Sequence, residues 1–186
     1  MMARLKWIDR WALMRNSSKE NLAEHSLEVA MLAHALCVIG NERFHRHLNA
    51  DRASVIGMYH DVSEILTGDM PTPVKYFNDA IRGVYKNIEA DANGRLLTLL
   101  PPELQPEFEG LLAPDDSFEQ EKKLVKGADK LSAYIKCIEE RNAGNTEFAS
   151  AEASTLKALH KLELPEVEVF LKEFIPSYGR PIDELK

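Results

Sequence analysis

The chain has 186 residues and a net charge of −7, with 45% hydrophobic and 28% charged residues. That length is expected to form one domain, residues 1–186, with a substantial core, and the composition excludes a disordered chain. The acidic balance argues against a broad nucleic-acid surface, so no nucleic-acid polymer is expected as a partner; a small phosphorylated ligand held by a few local cations stays open.

Cys37 and Cys137 form no CxxC pair and lie among apolar neighbours, which suits buried free thiols rather than a disulfide or zinc site. The first residues lack the uninterrupted apolar run of a signal peptide, and no stretch reads as a membrane span. The expected location is the cytoplasm, with no membrane partner.

Taken in order, Leu5, Ile8, Trp11 and Met14 recur in steps of three and predict a helix or helical turn over 4–15. Arg10 and Trp11 sit within it; an arginine can fork onto a phosphate and an indole can pack on a sugar or base. Asn21 to Glu24 has the form of a capping box. Leu27, Ala30, Met31, His34, Ala35 and Val38 then follow helical spacing, and other apolar residues between them suggest a helix buried on most sides. His25 lies in its first turn, where a buried imidazole needs a cap, a core partner or a metal. His34 reads as structural. Gly40 to Leu48 reads as a loop with exposed His45 and His47.

Asn49 caps a predicted helix from Ala50 to about Leu66, ended by Thr67-Gly68. Gly57 and Met58 would allow close packing, and His60 and Asp61 would lie well inside the helix. Adjacent helical side chains point about 100° apart and can still converge on one ion, while Glu64 returns to the Asp61 face. Thr72 as cap and Pro73 as first helical residue start the next helix. Val74, Phe77, Ile81, Val84 (or Tyr85) and Ile88 carry its apolar side towards Leu100. Pro101-Pro102 breaks the chain, and a short helix over 103–112 is followed by a loop at 114–117.

Ser117 to Gln120 resembles a second capping box, followed by the stripe Leu124, Ala128, Leu131, Ile135 and Ile138. Asp129 lies beside that stripe, where a carboxylate is costly unless paired with a lysine such as Lys126 or Lys130, or bound to a cation. Gly144-Asn145 ends this helix. Two more are predicted over 146–160 and 165–174, and no segment alternates as a strand. The fold class is all-α.

The order His25, His60-Asp61, Asp129 resembles the HD-domain phosphohydrolases. The motifs go further: Arg10-Trp11, Glu24-His25-Ser26, Tyr59 to Glu64, Thr67 to Lys75 with Tyr76-Phe77-Asn78, Lys126 to Asp129, and Phe174 to Ser177 resemble the bacterial 5′-deoxynucleotidases of the YfbR type. The resemblance covers nearly the whole chain. Ala12 and Met70 are small departures.

The resemblance implies an HD-domain helical bundle with a single metal site between central helices. It implies metal-dependent hydrolysis of deoxyribonucleoside 5′-monophosphates to deoxynucleoside and phosphate by a metal-activated water, selecting against ribonucleotides, in a homodimer. His25, His60, Asp61 and Asp129 would hold one divalent transition ion, with cobalt or manganese favoured. Glu64 would accept the water's proton or position the water, and Arg10 would grip the phosphate. Asp69 would hold the sugar 3′-hydroxyl or assist the leaving oxygen. Trp11 would face the C2′ edge, while Met70, Pro71, Thr72 and Lys75 would line the substrate beside His25, Asp61 and Asp129. Other readings of the same residues are another HD hydrolase acting on diesters or triphosphates, a silent HD-type binding module, and a helical interaction protein.

Overall fold

The structure, a computed structural model, describes residues 1–75, 77–112 and 117–184. Tyr76 and the loop expected over 114–116 lie outside the described residues. The main elements are α1 (Leu22–Phe44), α2 (Ala50–Tyr59), α3 (Glu64–Thr67), α4 (Thr72–Lys75), α5 (Asp79–Thr98), α6 (Gln105–Leu112), α7 (Glu119–Asn142), α8 (Ala149–His160) and α9 (Pro165–Glu173). Among the described residues there is no strand, only one antiparallel bridge between Asp9 and Asn21.

Helix α1 starts as its sequence dictates. Asn21 Oδ1 accepts the Ala23 and Glu24 backbone N–H groups, and Glu24 Oε2 accepts the N–H of Asn21. The helix runs on through the expected loop to Phe44 and stops at His45 in a left-handed conformation, φ 53°. It is the one described helix long and apolar enough to cross a membrane, against the expectation of none. Its apolar surface instead forms the centre of the core. Val29, Leu32, Ala33, Leu36 and Cys37 pack with Ala53 and Ile56 of α2 and with Leu124, Ala128, Leu131, Ile135 and Ile138 of α7. Helices α8 and α9 close this core with Leu159, Val167 and Phe170.

The expected α1 stripe is the wrong one in part. Leu27, Met31, His34 and Val38 face outward, because the opposite side is more densely apolar and takes the contacts with α2 and α7. Similarly Val74, Phe77, Ile81, Val84 and Ile88 are exposed; of the pair Val84 or Tyr85 it is Tyr85 that turns inward, and with Ala92 and Leu96 it forms the buried side of α5. The single helix predicted there is two: α4 ends at Lys75, and Asn78 caps α5 through Ile81 N–H. Thr72 is the first residue of α4, not its cap. At α7 the cap is Phe118 with φ 57°, so Ser117 to Gln120 do not form the expected box.

Two departures build the site. The N-terminal helix is a 3-10 turn, Met2–Trp7, that stops short of Arg10 and Trp11. Helix α2 ends at Tyr59, so His60 and Asp61 lie in the turn that follows it. There His60 Nδ1 donates to the Gly57 carbonyl, 2.8 Å, and the next residues change to i→i−3 pairing. Val62 and Ile65 anchor the turn in a second cluster with Leu5, Leu22, Leu96 and Leu112.

Gly57 sets the distance between α1 and α2. A Cβ there would lie 2.9 Å from the Ala30 Cα, a backbone atom that cannot move aside. Met58, by contrast, is exposed and takes no part. Gly57→Ala is expected to cost about 1–3 kcal/mol through overpacking, roughly 2–4 °C of Tm per kcal/mol in a chain of this size. An unchanged Tm in thermal unfolding would contradict the close approach.

Candidate metal and phosphate site

The crossing of α1, the α2 turn and α7 brings four predicted ligands together. His25 Nε2 lies 3.6 Å from Asp61 Oδ2 and 3.4 Å from Asp129 Oδ1, and His60 Nε2 lies 3.0 Å from Asp61 Oδ2. The two imidazole rings are 5.2 Å apart. Single ligand atoms of His25, His60 and Asp61 all fall within 4.8 Å of one another. Both Nε2 atoms are buried and make no hydrogen bond among the described residues. Two buried imidazole nitrogens without a hydrogen-bond partner, facing carboxylate oxygens, fit a divalent transition ion.

Neighbouring atoms orient the rings. The Gly57 carbonyl fixes His60 Nδ1 as the protonated nitrogen and turns Nε2 inward. His25 Nδ1 lies 2.9 Å from Ser132 Oγ, and that hydroxyl donates to Glu28 Oε2 at 2.6 Å. The Ser132 proton is committed to Glu28, and Arg10 Nη1 lies 2.7 Å from the same ring nitrogen; these contacts hold the ring so that Nε2 points to Asp61 and Asp129.

The electrostatics match a cation site. Burial opposes a charged His25, but the carboxylates of Asp129, Asp61 and Glu20 outweigh it and push the imidazole up to about 10. Burial likewise opposes charge on Asp61, yet His60 and His25 hold its carboxyl well below the usual range. Asp129 is lowered despite burial by His25 and His60. Glu64 goes the other way: burial, then Asp61 and Asp69, push its carboxyl up to about 9. It is only 4% exposed, and its Oε2 is buried with no hydrogen bond among the described residues.

Arg10 and Trp11 reach this cluster from a closed loop. Arg10 N–H donates to the Glu20 carbonyl and Leu22 N–H to the Ile8 carbonyl, 2.9 and 3.0 Å, so the loop's two ends are zipped together. Arg10 Nη1 contacts Glu20 Oε1 at 2.6 Å and His25 Nδ1 at 2.7 Å, and neither contact consumes Nε or Nη2. Trp11 has φ 58°, a conformation costing roughly 1–3 kcal/mol in a bulky residue. It is held there by Glu20 Oε2 on the indole N–H and by Phe148, whose ring packs at a tilt 5.3 Å away. The loop is strapped to α7 through Glu140, which accepts from Ser17 and Ser18 N–H and pairs with Lys136.

Asp69, Met70 and Pro71 are half-buried in the α3–α4 connection, entered through Gly68 at φ 72°, and Thr72 is exposed. Burial raises the Asp69 carboxyl against the pull of Arg10. Lys75 is engaged by Glu89 of α5 at 2.7 Å and lies over the Tyr85 ring. Sequence reasoning missed Glu20, Glu28, Glu89 and Ser132. Two of them had a signal: Glu28 is three residues after His25 and Ser132 three after Asp129, on the same helix faces.

A metal must displace the His25 proton, which this environment retains at neutral pH. Affinity for cobalt or manganese is therefore expected to rise with pH between 6 and 8, with proton release on binding. Titration calorimetry in buffers of different ionisation enthalpy checks this; pH-independent affinity without proton release would contradict it.

The sequence matches the family described as 5′-deoxynucleotidase YfbR-like over residues 1–178. It is 49% identical over 184 residues to a 5′-deoxynucleotidase of Vibrio vulnificus, covering 99% of this chain and 95% of that one. A Yersinia pestis 5′-deoxynucleotidase is 50% identical over 184 residues, covering 99% and 93%. Among solved structures, an HD-domain phosphohydrolase from Listeria innocua superposes with a TM-score of 0.82 at 24% identity, covering 95% of this chain and 85% of that one. The cyanophage S-2L HD phosphohydrolase DatZ, bound to dA and one catalytic Zn2+ ion, gives 0.67 at 20% identity, covering 95% of each. These two likenesses establish the HD-domain fold. With the family match spanning nearly its full length, this chain belongs to the YfbR-like 5′-deoxynucleotidase family.

Proposed function

We propose that this protein is a metal-dependent 5′-deoxynucleotidase, hydrolysing deoxyribonucleoside 5′-monophosphates to deoxynucleoside and phosphate and selecting against ribonucleotides. The observation that carries the reading is the pair of buried Nε2 atoms of His25 and His60, without hydrogen-bond partners among the described residues and facing Asp61 and Asp129 beside Glu64. The relatives' names supply the substrate class.

His25, His60, Asp61 and Asp129 hold one divalent ion, for which cobalt and manganese are the proposed choices. Such an ion supplies Lewis acidity to a phosphoryl oxygen and lowers the pKa of water. Arg10 turns the free edge of its guanidinium, Nε and Nη2, to the phosphate. Glu64 orients the attacking water and accepts its proton as the new O–P bond forms. It acts as a base once positive charge near Asp61 favours its ionised form. Breaking the P–O5′ bond leaves a developing alkoxide that takes up a proton as it departs, and Asp69 assists that oxygen or binds the 3′-hydroxyl. Met70, Pro71 and Thr72 form the wall next to it, and Lys75 adds charge shared with Glu89.

Trp11 accounts for sugar selection. A fixed indole at the C2′ edge leaves a 2′-hydroxyl without room or partner, worth on the order of 1–3 kcal/mol or roughly 5- to 150-fold. The enzyme is proposed to act in the cytoplasm as a homodimer. The exposed apolar residues Leu27, Met31 and Val38 of α1 and Ile81, Val84 and Ile88 of α5 offer surface for pairing.

The test is phosphate release from dAMP and AMP by chelator-treated protein with cobalt, manganese or magnesium restored. Expected is metal-dependent release that strongly favours dAMP, with the preference narrowed in Trp11→Ala. No release with any metal would contradict the enzyme, and equal release from both nucleotides would contradict the sugar selection.

A further inference from the structure

Glu20 has one carboxylate and serves Arg10 and Trp11 with it, while His25 Nδ1 lies further off, 3.5 Å from Oε1. Its Oε1 accepts from Arg10 Nη1 at 2.6 Å, while its Oε2 accepts from Trp11 Nε1 at 3.2 Å. Both side chains of the pair are largely buried, 12% exposed for Arg10 and 13% for Glu20. Neighbours in sequence, Arg10 and Trp11 are thus tied at their tips as well, by a residue from the far end of the same loop. Its backbone is fixed too, since the Glu20 carbonyl accepts the Arg10 N–H at 2.9 Å. The indole depends on that tie. Trp11 is left-handed at φ 58°, a backbone state that most tryptophans leave, and the ring rests on Phe148 at a tilted 5.3 Å contact that does not set its direction. A charge-assisted hydrogen bond to the indole N–H does set it.

We infer that Glu20 is the specificity-determining positioning residue of this site: it locks the Trp11 indole and the Arg10 guanidinium into one rigid unit, so that sugar and phosphate are read at a fixed spacing. This rests on the proposed deoxynucleotidase reading. Glu20 acts on sugar and phosphate through Trp11 and Arg10; its 3.5 Å approach to His25 Nδ1 bears on the metal side, which is why the comparison is made in the metal-loaded enzyme and on the dAMP-over-AMP ratio. The 2′-hydroxyl is rejected because the indole cannot move aside, and an indole released from Glu20 can.

The test compares Glu20→Gln, Glu20→Ala, Trp11→Phe and the Glu20→Gln/Trp11→Phe pair in the metal-loaded enzyme. In the Glu20 variants the dAMP-over-AMP preference in kcat/KM is expected to fall roughly tenfold, equivalent to about 1.4 kcal/mol. Loss on dAMP itself is expected chiefly in KM rather than kcat. Trp11→Phe has no indole N–H to hold, so adding Glu20→Gln to it leaves the preference unchanged while KM rises further through Arg10. A readout free of metal and substrate is the indole N–H proton signal of Trp11, assigned by its absence in Trp11→Phe. It is expected to be slow to exchange in the wild type and to shift and exchange faster in Glu20→Gln. Release from dAMP with undiminished preference in both Glu20 variants, or additive losses in the double variant, would overturn the inference and leave the deoxynucleotidase reading intact. So would an indole signal unmoved by Glu20→Gln, an outcome that can be read even if Glu20→Ala fails to fold. No release from dAMP by the wild type would overturn both.

Discussion

Two imidazoles and two carboxylates meet where α1, the turn after α2 and α7 cross, with His25 Nε2 3.4 Å from Asp129 and 3.6 Å from Asp61. Gathering charges inside a protein is unfavourable unless each finds a partner, and replacing such a group by apolar residues is often neutral or stabilising. The arrangement of the surrounding helices follows from keeping this cluster together. Gly57 lets α2 approach the α1 backbone at Ala30, and the Gly57 carbonyl then orients His60. Core side chains of α7 on either side of Asp129, Ala128 and Leu131, are fully buried and hold its helix face in place.

Around the cluster the loop from Ile8 to Leu22 brings in groups that helices alone would not supply. Its ends are bridged to each other and its middle is strapped to α7 through Glu140. A loop held this rigidly presents Arg10 and the strained Trp11 already ordered, which under the proposed roles would let phosphate and sugar be met without reordering. Burial of the Glu64 carboxyl completes the arrangement, leaving a group whose charge depends on its neighbours.

Much of this was legible in the residues. Asn21-Leu22-Ala23-Glu24 announces the start of α1 and therefore the depth of His25. The stripe from Leu124 to Ile138 announces the buried face next to Asp129. Metal-type residues at such positions have few cheap alternatives, so chemistry was easier to read than geometry. The turn at His60 was not legible, because i→i−3 and i→i−4 pairing share nearly the same apolar spacing. On α1 nearly every face is apolar, so periodicity could not select Val29 and Leu36 over Leu27 and Met31. Glu20 and Glu89 owe their roles to long-range pairing, with Arg10 across a loop and with Lys75 from another helix, and no local pattern marks them.

The central claim is that one divalent ion is held by residues from three separate elements. Its most direct test is anomalous diffraction at the cobalt edge from crystals grown with cobalt. The account predicts a single strong peak per chain, bonded to His25 Nε2, His60 Nε2, Asp61 and Asp129. A peak elsewhere, or an ion at this crossing that leaves either histidine unbound, would contradict it.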